Sequence, residues 1–199
     1  KLLEKYSPTD EVMRVLYLKE IQNLEIYGYG IKGFTLSMLE TGLEVSNKQI
    51  TAGEIEQIIL LGKEQLTHPV ELIDGVKDTL RELSRHYHLA MATKGDLMDQ
   101  ERKLKLSGLS DFFCHIEIMS DKTDAAYRKL LKDLNTTPEK IMMVGNSMKS
   151  DILPILKMGG YAVHIPFYTT WIHEMVSDEV EHPKLTVLES IKEIKEVLL

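Results

Sequence analysis

From Leu72 to the carboxyl end the sequence alternates short apolar runs with helix-forming stretches, and this alternation constrains the fold more than any other feature. The runs are Tyr87–Ala92, Ile116–Met119, Ile141–Val144 and Tyr161–Ile165, with Leu185–Leu188 as a short last one. Helical patterns fall between them, over Val76–Arg85, Met98–Leu106 and Asp124–Leu134, then after Ser150 as far as Gly159-Gly160. Another helix closes the chain from Glu189. Short, almost wholly apolar runs separated by helices are the pattern of parallel strands buried on both faces. The expectation for residues 71–199 is an α/β domain with a doubly wound, Rossmann-like parallel sheet.

The first 70 residues have a different texture and are expected to form an all-helical domain. Met13, Leu16, Tyr17, Ile21 and Leu24 recur at helical spacing, with Ser7-Pro8 as a capped start. A second helix is expected over Phe34–Glu44 and a third over Thr51–Leu66, with Ile55, Ile58, Ile59 and Leu66 on one side. His68-Pro69 ends the third, because a residue before proline is pushed out of the helical region. A length of 199 residues accommodates both parts.

Composition narrows the function classes. No apolar stretch approaches the roughly 20 residues that span a bilayer, so no membrane role is expected. With 24 basic and 31 acidic residues the net charge is −7, which argues against a nucleic-acid partner. The single cysteine, Cys114, cannot form an internal disulfide; it suits a reducing cytoplasm and is expected as a small buried hydrophobe. The pattern sets no oligomeric state.

The polar residues cluster where the strands end. Thr93-Lys94-Gly95-Asp96 follows the first run, Ser120-Asp121-Lys122-Thr123 the second, and Gly145-Asn146-Ser147-Met148-Lys149-Ser150-Asp151 the third. Thr93 to Lys122 and Lys122 to Asp151 are each 29 residues apart, one βα repeat. Open α/β sheets bind ligands outside the carboxyl ends of their strands. A hydroxyl, an ammonium and an amide–carboxylate pair are therefore expected along one rim. Thr123 is expected to cap the helix after it, and Ser150 the helix after the third strand. The latter would set Asp151 at a helix start, where backbone N–H groups attract anions. Asp151 and the Asn146 amide oxygen are hard donors suited to Mg²⁺, which takes few protein ligands beside water and phosphate.

This order, a helical segment, then strand-Thr, Lys, and strand-Gly-x-Ser-x-x-x-Asp, resembles the haloacid dehalogenase superfamily, most of whose members are phosphatases, over essentially the whole chain. Met91-Ala92-Thr93-Lys94-Gly95 looks like the family's second motif, whose threonine hydrogen-bonds the transferring phosphoryl group. Lys122 looks like the third-motif lysine, which neutralises nucleophile and phosphoryl oxygens. The resemblance thus implies Thr93 and Lys122 as catalytic groups and Thr93, Lys94, Gly95 and Lys122 as the phosphate-binding set. Val144 to Asp151 resembles the fourth motif, with Asn146 and Asp151 as Mg²⁺ ligands; Asn146 stands where the family commonly has an acid. Residues 1–70 would be the helical cap, and residues 71–199 the core. The implied activity is Mg²⁺-dependent hydrolysis of a small phosphorylated metabolite through an aspartyl-phosphate intermediate.

The family's first motif is an aspartate pair after the first strand, upstream of the cap, and nothing before Tyr6 supplies it. The expectation is that a strand and a helix, about 20–30 residues, precede Lys1, so that residues 71–199 form a core without its first strand. A metal-free haloacid dehalogenase needs no second aspartate, and a relative lacking both would only bind. A phospho-acceptor signalling domain is a poorer match, since such domains carry no helical insert.

Other features point less far. Gly28-Tyr29-Gly30-Ile31-Lys32-Gly33 spells the dinucleotide-binding pattern but follows a helix where that fingerprint must follow a strand. It is read as a helix–helix turn, with Tyr27, Tyr29 and Phe34 as candidates to face substrate. His164, Trp171 and His173 lie beyond the last motif and are read as packing groups, with a substrate-side role for Trp171 or His173 as the alternative; His86 and His88 are read as solvated.

Overall fold

The computed structural model describes residues 1–167 and 180–199. Its helices are α1 (Thr9–Tyr27), α2 (Ile31–Val45), α3 (Ala52–Thr67), α4 (Val76–Leu83), α5 (Leu97–Ser107), α6 (Asp124–Asp133), α7 (Leu153–Lys157) and α8 (Ile194–Leu198). The strands are β1 (Ala90–Lys94), β2 (His115–Met119), β3 (Met142–Gly145), β4 (Tyr161–His164) and β5 (Leu185–Val187). The chain divides into two compact units, residues 1–70 with 94–106 and residues 71–93 with 107–199.

In the first unit α1 packs on α2, and α2 on α3. The contact surfaces are built from small residues: α2 buries Gly33, Ser37, Thr41 and Gly42, and α3 buries Glu54, Ile58 and Gly62. A methyl group on Gly62 would stand 2.3 Å from Thr35 Oγ1, so the helices approach too closely for any larger side chain. The hydroxyls at this interface are satisfied locally. Ser37 Oγ donates to the Gly33 carbonyl at 3.0 Å and accepts from Asn23 Nδ2 at 3.1 Å.

The apolar stripes expected here hold in part: Leu16, Tyr17, Ile21 and Leu24 of α1 and Ile55 and Leu66 of α3 are half-buried. On α1 the buried positions are Val15 and Asn23, and Met13 is exposed; on α3 Ile58 is buried and Ile59 exposed. Burial follows the small residues that permit close approach, which a hydrophobic period does not register. Nor does Ser7 cap α1, whose cap position is Pro8 without a side-chain bond. Thr51 carries the full cap instead: its hydroxyl accepts from the Glu54 N–H while the Glu54 carboxylate accepts from the Thr51 N–H.

The second unit is α/β with parallel strands. β3, β4 and β5 lie side by side in parallel, Met142 to Gly145 in register with Tyr161 to His164 and Ala162 opposite Leu185. β1 and β2 form a separate two-stranded sheet. Both sheets share a core of Met119, Tyr127, Leu130 and Ile155, against which Ala92 of β1 and Met143 of β3 also pack. A second cluster joins Ile152 and Leu156 to Ala162 and Leu185. Burying each such aliphatic side chain contributes about 1.5–3 kcal/mol.

Two expectations are corrected here. The first strand starts at Ala90 and runs through Thr93 and Lys94, whereas Tyr87 is exposed, its hydroxyl donating to the Leu198 carbonyl at 2.6 Å. Cys114 is exposed, not buried: it leads into β2, an edge strand, and its Sγ lies 3.2 Å from the Leu89 carbonyl. No helix among the described residues is long and apolar enough to cross a membrane.

Candidate active site

Lys122 and Asp151 meet at the ends of different strands of the second unit. Lys122 lies in the turn between β2 and α6, and Thr123 ends that turn by capping α6, its hydroxyl accepting from the Ala126 N–H. The Lys122 ammonium is 2.5 Å from Asp151 Oδ1, and the two side chains are only 11% and 7% exposed. A shielded pair of this kind is held far more firmly than a surface ion pair.

Asp151 is placed by three neighbours besides Lys122. Its Oδ2 accepts from the Ser147 N–H at 3.1 Å. It lies on Gly145, the last residue of β3, so tightly that a Cβ there would stand 2.4 Å from Oδ2 and 2.6 Å from Cγ. Tyr127, wholly buried on α6, donates its hydroxyl to the Ser150 carbonyl at 2.8 Å and so fixes the backbone next to Asp151. One helix thus positions both partners of the ion pair, through the turn that precedes it and through Tyr127.

The cap of this segment differs from the expectation. Ser147, not Ser150, is the capping residue, its hydroxyl accepting from the Ser150 N–H at 3.0 Å. The turn Met148–Ile152 is wide, with the Ile152 N–H reaching the Ser147 carbonyl, and α7 begins only at Leu153. Asp151 therefore sits inside a widened turn rather than at a regular helix start. Such π-type turns are frequent at functional sites.

Asn146 is exposed at the end of β3. Its backbone carbonyl lies 3.1 Å from His164 Nε2, and a carbonyl can only accept, so that ring nitrogen carries the proton. His164 ends β4 directly opposite Gly145, a position that its apolar neighbours alone do not reveal. Thr93 is the penultimate residue of β1. Ser147 and Tyr127 were not singled out in the sequence. Ser147 had a signal, the three-residue spacing from a cap hydroxyl to the N–H it accepts. Tyr127 had a weaker one, since a phenol on an apolar helix face needs a polar partner.

Lys94 and Gly95 belong with the first unit. The Lys94 ammonium stands 4.0 Å from the centroid of the Tyr29 ring, and Lys32 Nζ bonds both oxygens of Asp96 at 3.0 Å. Gly95 has φ +147°, and the Gln100 side chain occupies the place a Cβ would take. The glycine pattern at 28–33 joins α1 to α2, as its position after a helix implied.

The donor set can accommodate a divalent cation in part. A carboxylate has about four lone-pair sites. Lys122 and the Ser147 N–H engage two of those on Asp151, and Asn146, an exposed residue, carries an amide oxygen as a second hard donor. Among the described residues no three His, Cys, Asp or Glu side chains cluster to form a closed metal site. Two hard donors beside water and a ligand oxygen suit Mg²⁺, which seldom uses an all-protein cage. Trp171 and His173 lie outside the described residues.

Parallel strands whose ends bring together a shielded lysine–aspartate pair define an α/β architecture with a polar site at its strand ends. The chain belongs to the haloacid dehalogenase-like hydrolase family, whose sequence profile matches residues 5–159. It is similar to a haloacid dehalogenase-like family hydrolase of Xanthomonas campestris, at 34% identity and a TM-score of 0.88, over 99% of this chain and 78% of that one. Glyceraldehyde 3-phosphate phosphatases of Pyrococcus furiosus and Methanothermobacter thermautotrophicus are 29% and 30% identical to it over 122 residues. Those alignments take in 59% and 58% of this chain and 49% and 53% of the relatives, so the chain spans about half the length of the curated relatives it matches.

Proposed function

We propose that the protein hydrolyses a small phosphorylated metabolite, with Thr93, Lys94, Gly95 and Lys122 receiving the phosphoryl group and Asn146 and Asp151 holding Mg²⁺. In this reading residues 1–70 are the helical cap domain and residues 71–199 the core domain. The observation that carries this reading is the shielded Lys122–Asp151 pair at the strand ends of a chain of this family. The phosphatase names of the two curated relatives support the reaction class.

Charge governs the chemistry. A phosphate monoester is a dianion that repels an attacking carboxylate, so positive charge must stand ready where the phosphoryl oxygens come to rest. Lys122 supplies it, held in place by Asp151 rather than left to sample solvent. The Thr93 hydroxyl, at the end of β1, is a neutral donor to a phosphoryl oxygen. Mg²⁺, when bound, offsets the remaining negative charge and orients the phosphate.

The test is turnover of a panel of phosphomonoesters by the full-length protein, with and without Mg²⁺. Lys122→Ala and Asp151→Ala are each expected to lower kcat by about 10²-fold or more, the range for loss of one group that stabilises transition-state charge. Near-parental turnover in either variant overturns the assignment. Release of halide from a 2-haloacid without metal would favour the dehalogenase reading instead.

A further inference from the structure

The glycine-rich turn between α1 and α2 is fastened to the segment that follows Thr93 by two contacts of different kinds. The Lys94 ammonium lies 4.0 Å from the centre of the Tyr29 ring. Three residues along the turn, Lys32 grips both oxygens of Asp96. Asp96 is itself committed: its Oδ1 accepts from the Asp99 N–H at 3.1 Å and its backbone carbonyl accepts from the Gln100 N–H, at the start of α5. Gly30 lets the two segments meet, since a Cβ there would stand 3.2 Å from the Asp96 nitrogen. Lys94 and Asp96 are thereby held to one turn of the helical unit.

The partners differ in what they do to their lysines. A carboxylate gripping Lys32 with both oxygens neutralises that charge. An aromatic face stabilises and orients the Lys94 ammonium. A lysine of four rotatable methylenes loses considerable side-chain entropy when it must reach an anion, and prior orientation on a ring removes part of that cost.

We propose that Tyr29 is a positioning residue for Lys94, so that the glycine-rich turn sets affinity for the anionic substrate through the orientation of that one ammonium. This rests on the phosphatase reading for the role of Lys94, and it gives the turn a task the dinucleotide pattern does not. The ring face is the group that meets the ammonium.

The experiment uses the full-length protein, para-nitrophenyl phosphate as substrate and inorganic phosphate as competitive inhibitor, with phosphate binding also followed by calorimetry. Tyr29→Leu is expected to raise KM and the phosphate inhibition constant roughly three- to fivefold with little change in kcat, the scale of one partly exposed cation–π contact. Tyr29→Phe restores both constants. Lys94→Met raises them at least as far, and adding Tyr29→Leu to it raises them no further. Equal loss in Tyr29→Phe and Tyr29→Leu, additive effects in the double variant, or a change confined to kcat overturns the proposal. Failure of the phosphatase reading is told apart by the parent itself, which would then neither hydrolyse the ester nor bind phosphate.

Discussion

Gly145 and Asp151 occupy one space: the carboxylate of Asp151 folds back onto the end of β3 where any side chain on residue 145 would have to lie. The glycine is required by contact, and its backbone has no unusual φ. The ion pair with Lys122 exists because residue 145 has no Cβ. Gly145→Ala is therefore expected to push Asp151 away from Lys122, lowering kcat at least tenfold while the protein still folds. Far-ultraviolet circular dichroism and turnover, measured on the same preparation, check both halves. Unchanged turnover would mean that Asp151 need not sit where it does.

Tyr127 offers a separable test of how the Asp151 segment is held. Its hydroxyl bonds the Ser150 carbonyl inside the core, so Tyr127→Phe keeps the packing and leaves that carbonyl without this donor. A loss of about 1–3 kcal/mol in unfolding free energy is expected, the cost of one buried partner removed. Denaturant titration measures it. A change below about 0.5 kcal/mol, within the range of neutral surface substitutions, would show the bond to be incidental.

Glu54 makes the helical unit acid-sensitive. Its carboxylate accepts from the Thr51 backbone N–H, pairs with Lys5 at 2.9 Å, and accepts from the Thr51 and Tyr6 hydroxyls at 2.8 Å. The Thr51 N–H above all, then Lys5, brings its pKa down from 4.5 to about 2. A carboxyl with a depressed folded-state pKa contributes stability that is fully present above its unfolded value of 4.5 and is lost as pH falls through about 2. Glu54→Gln should lower stability at neutral pH and flatten its fall between pH 5 and pH 2. An acid-unfolding curve parallel to that of the parent would contradict this.

The close approach of α2 and α3 predicts intolerance of a single methyl group. Gly62→Ala would drive a Cβ to 2.3 Å from Thr35 Oγ1 and 2.9 Å from its Cγ2. Helix propensity favours alanine by about 1 kcal/mol. Overpacking at a fixed interface costs about 1–3 kcal/mol. Net destabilisation is expected, and the compensating pair Gly62→Ala with Thr35→Ser should recover part of it in thermal unfolding. A Tm for Gly62→Ala at or above that of the parent would show that the helices can move apart.

What the sequence determined by itself was what local chemistry encodes. Short apolar runs between helices announced parallel strands, Thr123 announced its cap, and the residues at strand ends could be read because a βα repeat has a nearly fixed length. The two sides of the glycine-rich turn were legible too, since the pattern followed a helix. Tertiary structure decided the rest. Lys122 and Asp151 carried separate assignments in the sequence, one for phosphate and one for metal, and only the close approach of two strand ends made them partners. Ser147 displaced Ser150 as the cap because the turn after β3 is wider than an α-helical one, with Asp151 drawn onto Gly145. On α1 and α3 the predicted stripes are mostly half-buried, while full burial goes to Val15, Asn23, Ile58 and Gly62, because complete burial depends on which neighbour has no side chain to interpose. Periodicity records which residues avoid water, but a contact between residues 29 apart forms only when packing brings their backbones together.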